Sequence, residues 1–265
     1  MKQDLLKKTS YSIDDLIEIM KMLRAPGGCP WDREQTHQSI RKNFIEETYE
    51  AVEAIDTEDP ELLEEELGDV LLQIIFHTEM EEEKGSFSFE DVVTGICRKL
   101  IVRHPHVFGD VEVQGSEQVL ANWDEIKKRQ KGQKKSVETL ESVSRALPAL
   151  MRSTKVQQRA ARAGFDWPEV SGALEKIREE TAELEEAVAG GSREGIAEEL
   201  GDLLFSVVNV SRFVKVDAEE ALTRATDKFT ARFAAVERMA AERGIDMKET
   251  SIEELDRLWD EAKSR

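Results

Sequence analysis

Residues 46–56 read EETYEAVEAID, residues 64–76 read EEELGDVLLQIIF, and both stretches return later in the chain. The second copies are EETAELEEAVA at residues 179–189 and AEELGDLLFSVVN at residues 197–209, each 133 positions after the first. Because two separate stretches keep the same offset, the chain contains one unit twice. The basic, polar segment 127–136, KKRQKGQKKS, is typical of a linker. We therefore predict two domains, residues 1–135 and residues 136–265.

Helical periodicity runs through both units. Ile13, Leu16, Ile17 and Met20 have the spacing of one helix face, and Ser12 before them is a suitable N-cap. The chain has only 6 Pro and 15 Gly, which disfavours an all-β fold. We predict an all-α fold, a pair of helical bundles with short connections between antiparallel helices. The predicted helices cover residues 12–24, 35–56, 61–83, 88–103 and 117–129, and then 144–164, 168–189, 193–214, 218–243 and 251–263.

The composition excludes several classes of protein. Lys and Arg number 37 against 56 Asp and Glu, a net charge of −19, so the protein has no general attraction to nucleic acid or anionic membranes. Cys29 and Cys97 are too few for a disulfide framework and favour a reducing, cytoplasmic location. No apolar stretch approaches the roughly 20 residues that a membrane-spanning helix needs.

Acidic residues three apart mark two consecutive predicted helices of each unit. Such residues share a helix face, so an antiparallel pair of helices brings four carboxylates to one point. Four converging carboxylates need a cation, because like charges at that range raise one another's pKa. Oxygen ligands without nearby His or Cys favour Mg²⁺ or Mn²⁺ over zinc or copper. The predicted metal ligands are Glu47, Glu50, Glu66 and Asp69 in the first unit and Glu180, Glu183, Glu199 and Asp202 in the second.

The alternative for these acids is a solvated helix surface. Gly68 and Gly201 argue against it, because a mid-helix Gly costs about 1 kcal/mol relative to Ala and needs a reason such as close packing or an approaching ligand. A di-iron carboxylate bundle would need Glu-x-x-His on two helices. Only Glu34 and His37 have that spacing, and all four His lie in the first unit, so di-iron chemistry is disfavoured.

The pattern E-E-x-x-E followed by E-x-x-D resembles the all-α nucleoside triphosphate pyrophosphohydrolases and, more narrowly, the MazG family. The likeness covers nearly the whole chain and both copies. Four flanking stretches belong to it: Gly28-Cys29-Pro30-Trp31-Asp32, Arg103-His104-Pro105-His106-Val107-Phe108, Gly164-Phe165-Asp166-Trp167, and Lys228-Phe229 with Arg232-Phe233.

The resemblance implies hydrolysis of a nucleoside triphosphate between its α and β phosphates, giving a monophosphate and pyrophosphate. It implies Mg²⁺ on the two acidic sets, with Mn²⁺ as a possible substitute, and a homodimer. Glu179, or Glu46 in the first unit, is the candidate that positions or deprotonates the attacking water. The candidate nucleotide-binding residues are Lys176, Lys228, Arg232 and Trp259 in the second unit and Lys99, Arg103 and Trp123 in the first.

Some alternatives stay open. Lys228 and Arg232 could form a surface pair that offsets nearby acids, and Trp259 could be a core or interface aromatic. Neither copy is visibly inactive, although the second has fewer prolines around its nucleotide-binding residues and is the preferred catalyst. The expected enzyme has broad base specificity and a house-cleaning or regulatory role. The competing functions are phosphoribosyl-ATP pyrophosphohydrolysis, usually carried by shorter chains, and non-catalytic nucleotide sensing by a helical interaction protein.

Overall fold

The computed structural model describes residues 2–116, 118–119, 122–123, 126 and 136–263, without the side chains of Lys2 and Ser136. All regular secondary structure within these residues is helical, which confirms the predicted all-α fold. The chain divides into two compact units, Met1–Ile126 and Lys127–Arg265. The predicted linker at residues 127–135 and most of the helix predicted at 117–129 lie outside the described residues, and the domain boundary near residue 135 stays a prediction.

The first unit is built around a long helical hairpin. Helices α4 and α5 pack along each other, joined by only three residues, so they run antiparallel. Asp59 caps α5 by accepting from the backbone N–H groups of Glu61 and Leu62, and Pro60 provides its first residue. The helices of this unit are α1 (Lys2–Leu5), α2 (Ile13–Arg24), α3 (Pro30–Glu34), α4 (Arg41–Asp56), α5 (Pro60–Glu82), α6 (Phe89–Arg103) and α7 (Pro105–Phe108).

The second unit repeats this hairpin. Helices α10 and α11 pack along each other across a two-residue connection, in which Gly191 takes a left-handed conformation and Ser192 caps the next helix. The helices of this unit are α8 (Ser136–Glu141), α9 (Ala149–Arg162), α10 (Val170–Gly190), α11 (Arg193–Phe213), α12 (Ala218–Glu242) and α13 (Ile252–Lys263).

Each unit has its own apolar core. In the first, Met20 from α2 and Ile75, Phe76 and Met80 from α5 are buried together with Ile40. In the second, the buried cluster joins Val236, Met239 and Ala240 of α12 to Leu258 of α13. No helix of the described chain is long and apolar enough to cross a membrane.

Two helix starts differ from the sequence prediction. The helix predicted from residue 35 begins at Arg41, because Thr36 and Ser39 exchange side-chain and backbone hydrogen bonds in a local turn that competes with the helix. The helix predicted from residue 144 begins at Ala149, because Pro148 disfavours helical backbone in the residue before it.

Candidate active site

The acids of the second unit converge between α10 and α11. Ligand oxygens of Glu180, Glu199 and Asp202 all lie within 4.8 Å of one another. Glu180 is only 4% exposed, whereas Asp202 faces solvent. The fourth predicted ligand, Glu183, is exposed one turn along α10, and partial burial together with Glu180 and Glu199 raises its pKa. The pair of helices therefore forms a carboxylate cluster with one buried wall and one open side.

Lys176 is the cation nearest to this cluster among the contacts that the structure describes. Its Nζ lies 2.5 Å from Oε1 of Glu180 and 2.9 Å from Oε1 of Glu179. These two hydrogen-bonded carboxylates raise the pKa of Lys176, so it carries its charge throughout the physiological range. Lys176 thus places one positive charge directly beside the acids.

The first unit holds the same arrangement between α4 and α5. Ligand oxygens of Glu47, Glu66 and Asp69 lie within 4.8 Å of one another, and Glu66 is 9% exposed. Burial first, and then the charges of neighbouring acids, raise the pKa values of both Glu47 and Glu66. Glu50 is exposed, and it contributes to the raised pKa of Glu47 after burial and the charge of Asp69. Glu66 Oε2 is buried and has no hydrogen-bond partner within the described chain.

These clusters fit a divalent cation. A buried carboxylate oxygen that accepts no hydrogen bond costs free energy unless a ligand or cation binds to it. Both clusters contain only carboxylate oxygens, the donors that hard cations such as Mg²⁺ prefer. Desolvation first, and then the charges of neighbouring acids, raise the pKa of Glu47, of Glu66 and of Glu183, and a bound cation would offset both effects.

Open space surrounds the two mid-helix glycines of the hairpins. A Cβ built on Gly68 or on Gly201 would meet no heavy atom of the described chain within 4 Å, apart from its own helix and neighbours. Close packing within the described chain therefore does not explain why Gly occurs at these two positions. The explanation that is left is the approach of a ligand or of a second chain. Gly201 directly precedes Asp202 in α11, although consecutive helical residues point in different directions.

The other predicted binding residues of the second unit lie on α12 and α13. The guanidinium of Arg232 lies 5.9 Å from the centre of the Trp259 ring, which also contacts Phe229 at 5.1 Å. Trp259 is half-buried against the cluster that contains Leu258. Lys228 is exposed one turn from Arg232. The described contacts bring these residues together with each other, but do not join them to Glu180.

Their counterparts in the first unit differ. The Trp123 ring lies edge-on to His104 at 4.7 Å, and its Nε1 is buried without an acceptor in the described chain. Lys99 and Arg103 lie one turn apart on α6, Lys99 exposed and Arg103 half-buried. Of the candidate catalytic residues, Glu46 pairs with the exposed Lys42 at 2.9 Å, whereas Glu179 pairs with Lys176.

Two groups of polar residues form contacts that the sequence did not predict. In the first unit, His37 Nδ1 and His77 Nδ1 lie 2.7 Å apart, and His37 Nε2 lies 2.6 Å from Glu81 Oε1. In the second, Gln157 is 6% exposed and its Nε2 donates to the backbone oxygen of Phe205 at 2.7 Å. No local spacing signals these contacts, because His37 lies 40 and 44 positions before His77 and Glu81, and Gln157 lies 48 positions before Phe205.

Comparison with known proteins places the two acidic hairpins in one family. A family model described as the MazG nucleotide pyrophosphohydrolase domain matches residues 35–108 and again residues 169–236. The chain belongs to the MazG family. Both matched segments contain a complete set of acids from one hairpin, and the tandem arrangement of two MazG domains confirms the predicted duplication. Trp123 and Trp259 lie outside the matched segments.

Relatives named nucleoside triphosphate pyrophosphohydrolase match most of this chain. It is 45% identical over 258 residues to the nucleoside triphosphate pyrophosphohydrolase/pyrophosphatase MazG of Thermotoga maritima, covering 97% of this chain and 98% of that protein. It is 43% identical over 254 residues to the nucleoside triphosphate pyrophosphohydrolase of Escherichia coli K12, covering 95% and 97%. A Mycolicibacterium smegmatis protein of that name is 35% identical over 208 residues, covering 70% and 63%.

Proposed function

We propose that the protein hydrolyses nucleoside triphosphates between the α and β phosphates, releasing a nucleoside monophosphate and pyrophosphate. The observation that carries this proposal is the cluster of Glu180, Glu199 and Asp202, with Lys176 held 2.5 Å from Glu180. Relatives that match almost end to end are named nucleoside triphosphate pyrophosphohydrolases, which favours this activity over phosphoribosyl-ATP hydrolysis or nucleotide sensing. Broad base specificity and a house-cleaning role are parts of the same proposal.

Mg²⁺ is the cation that suits this donor set best, with Mn²⁺ as a substitute. Glu180, Glu183, Glu199 and Asp202 would hold it in the second unit, and Glu47, Glu50, Glu66 and Asp69 in the first. When bound, the ion neutralises phosphate charge and lowers the pKa of water. The buried wall formed by Glu180 fixes one side of the site, while the exposed Asp202 faces the incoming triphosphate.

The chain's own residues bind the phosphates and direct the water. Lys176 is charged and already lies beside the cluster, so it can pair with a phosphate oxygen once the triphosphate arrives. Glu179 lies on the same helix turn and accepts the proton of the attacking water. The water oxygen forms the new bond to phosphorus, the bridging P–O bond breaks, and pyrophosphate leaves.

Lys228, Arg232 and Trp259 complete the nucleotide site in this proposal. Arg232 and Trp259 are fixed relative to each other by their stacking contact, and Lys228 follows the same face of α12. The two cations would bind the triphosphate, and Trp259 would stack on the sugar or base. In the first unit, Lys99, Arg103 and Trp123 would have these roles if that unit is active.

The exposed apolar surface of each unit supports a homodimer. Large side chains remain exposed along α6, α11 and α12, although a folded monomer usually covers such stripes. The side chains that show this most clearly are Val93, Leu100 and Ile101 on α6, Leu204 and Val207 on α11, and Leu222, Phe229 and Phe233 on α12. We propose that a second copy covers them. Sedimentation velocity of the intact chain tests this, and a monomer at micromolar concentration would contradict it.

The cytoplasm is the proposed location, because Cys29 and Cys97 are both free thiols. The second unit is the proposed main catalyst.

Product analysis tests the proposed function. The purified chain is incubated with each nucleoside triphosphate and Mg²⁺, and the products are separated by ion-exchange chromatography. Monophosphate and pyrophosphate in equal amounts are expected. Diphosphate and inorganic phosphate, or no turnover of any triphosphate, would contradict the proposal. Omission of the divalent cation in the presence of EDTA is the matched control and should abolish turnover.

A further inference from the structure

A groove of about 700 Å³ opens in the first unit between the end of α2, helix α3 and the end of α5. Most of its lining side chains are charged, and Ala25, Pro26 and Pro30 form its apolar part. The volume lies within the range of about 300–1,000 Å³ that is usual for small-molecule sites. Glu79, which lines the groove, follows Asp69 by ten residues, so the groove lies roughly 15 Å along α5 from the carboxylate cluster.

Glu79 contributes a buried carboxylate to this groove. The residue is only 8% exposed and makes no hydrogen bond or ion pair with the described residues. Its oxygens are not among the fully enclosed atoms that lack a partner, so the carboxylate keeps an opening towards the groove that it lines. Burial raises the pKa of Glu79 more than the charge of Lys21 lowers it. A ligand that donates to this carboxylate would recover part of the cost of its burial.

The two cations of α2 that line the groove are committed to other acids. Lys21 Nζ lies 2.6 Å from Oε1 of Glu82. Arg24 donates to both carboxylate oxygens of Glu83, at 2.7 and 2.8 Å. These pairs close the charges of Glu82 and Glu83 within the chain, and they leave the buried carboxylate of Glu79 without a donor.

The groove has one negative charge in excess when its lining groups are ionised. Lys and Arg contribute three lining residues and Glu contributes four. The two ion pairs account for four of these seven groups, and the exposed neighbours Arg33 and Glu34 have opposite charges. The excess charge is therefore that of Glu79, and it suits a ligand with a single positive charge.

A metal ion does not fit this position. Within the described chain, the groups of three or more potential ligands that lie within 4.8 Å of one another are the two hairpin clusters, and neither contains Glu79. One carboxylate supplies too few of the roughly six oxygens that a divalent cation needs. An ammonium group needs only acceptors, and its hydrogen bond to a carboxylate is among the strong ones. Pro26 and Pro30 offer apolar contact to an attached aliphatic chain.

The second unit supplies an internal comparison. Residue 212, which lies 133 positions after Glu79, is Arg. Arg212 donates to both carboxylate oxygens of Asp166, at 2.9 and 2.5 Å, and to Oδ1 of Asn209. The second unit thus satisfies the charged group at this position within the chain, whereas the first unit does not.

We infer that the groove between α2, α3 and α5 binds a small aliphatic amine as its ammonium ion, with the ammonium donating to Glu79 and the alkyl chain lying on Pro26 and Pro30. The site is separate from both carboxylate clusters, and the inference does not depend on the proposed function. Because the groove exists only in the folded protein, the bound amine stabilises the first unit.

Calorimetry with n-butylamine at pH 7 and constant ionic strength tests this inference. Two analogues separate the contacts, since 1-butanol has a similar chain without the charge and tetramethylammonium has the charge without an N–H donor. Glu79→Gln removes the charge of the carboxylate and keeps its shape. Glu64→Gln is the matched control, because Glu64 is an exposed acid on the same helix. Thermal melts of all three proteins are recorded with and without the amine.

The unaltered chain should bind butylammonium saturably with a Kd of about 1 mM, and both analogues at least about tenfold more weakly. Glu79→Gln should weaken butylammonium by about tenfold or more, with Glu64→Gln unchanged. Butylammonium should raise the Tm of the unaltered chain and of Glu64→Gln, but not of Glu79→Gln.

Three results would overturn the inference. The first is no saturable binding of butylammonium up to about 20 mM, twenty times the expected Kd. The second is equal affinity for tetramethylammonium, which would show attraction to charge alone. The third is equal affinity of the unaltered chain and Glu79→Gln. The analogues test the unaltered chain, so the inference remains testable even if Glu79→Gln is unstable.

Discussion

The ammonium of Lys176 lies 2.5 Å from Oε1 of Glu180, so the buried acid of the second unit's cluster has a fixed cation one helix turn away. The first unit has no such pair at its buried acid among the described contacts. There Lys42 binds the exposed Glu46 instead, and Glu66 Oε2 lacks a partner. The two copies therefore have the same carboxylates but differ in which cations neutralise the negative charge.

Substitution of Lys176 should affect activity and its pH dependence together. Lys176 lowers the pKa of Glu183, while burial and the neighbouring acids raise it. In Lys176→Met the pKa of Glu183 rises further, so the acidic limb of the kcat/KM profile should move to higher pH. We also expect a KM at least about tenfold higher, from the loss of a charge-assisted phosphate contact. Lys8→Met is the control, because Lys8 pairs with Asp15 at the same 2.5 Å distance but belongs to the first unit.

Gly201→Ala should stabilise the fold and impair function. Ala is favoured over Gly within a helix by about 1 kcal/mol, and the new methyl group meets no atom of the described chain. Urea denaturation should therefore show a higher free energy of unfolding. If a ligand approaches the helix surface at Gly201, the methyl group obstructs it, and the KM for ATP should rise. A gain in stability with an unchanged KM would show that no ligand approaches Gly201.

The buried acid of the first unit should destabilise the cation-free protein at neutral pH. Burial and neighbouring charges raise the pKa of Glu66 above its ordinary value of 4.5. The stability linked to a raised carboxyl pKa is fully present below about pH 4.5 and is lost as the pH rises through the folded pKa. Glu66→Gln should therefore raise the Tm in EDTA at pH 7.

The same variant tests cation binding. Mg²⁺ should raise the Tm of the unaltered chain, and this increase should be smaller in Glu66→Gln because one ligand is missing. Glu64→Gln, on the exposed side of α5, is the control for removal of a charge. An unaltered Mg²⁺ response in Glu66→Gln would mean that Glu66 does not bind the ion.

The His37–His77 contact should make the first unit sensitive to acid. Burial first, and then His37, lower the pKa of His77. Stability linked to a lowered His pKa is present above the unfolded value of 6.5 and is lost as the pH falls through the folded pKa. Glu81 stays ionised across this range, because Lys84, His37 and Ser86 lower its pKa to about 2.

Thermal melts between pH 7.5 and 5 measure this effect. The Tm of the unaltered chain should fall with acidification, and His77→Phe should flatten that slope, since a Phe ring keeps the stacking against His37 but cannot be protonated. His106→Phe is the control on a neighbouring segment. The same slope in all three proteins would show that the pair has no role in acid sensitivity.

Local pattern predicted the parts of the site that depend on helix periodicity. Glu199 and Asp202 are three residues apart, so any helix places them on one face, and the same holds for Glu66 and Asp69. The helix starts at Arg41 and Ala149 were missed, because the predicted helices began before the polar Thr36–Ser39 turn and before Pro148. Local hydrogen bonds decided the first boundary, and the backbone restriction on the residue before a proline decided the second.

Tertiary contacts could not be predicted in the same way. The contacts of His37 with His77 and of Gln157 with Phe205 depend on how separate helices pack, and no spacing in the sequence reports that packing. Phe76 and Asn209 occupy equivalent positions in the two copies, 133 residues apart, so this difference between the copies is visible in the sequence. Its meaning required the structure, which shows one side chain filling a core and the other lining a cavity.

The central claim is that the acids of the second unit hold the catalytic cation. The most direct measurement is kcat for ATP hydrolysis with saturating Mg²⁺ in the unaltered chain, in Glu47→Gln and in Glu180→Gln. We predict that Glu180→Gln lowers kcat by more than about 100-fold, whereas Glu47→Gln has a smaller effect. Full activity of Glu180→Gln would contradict the account.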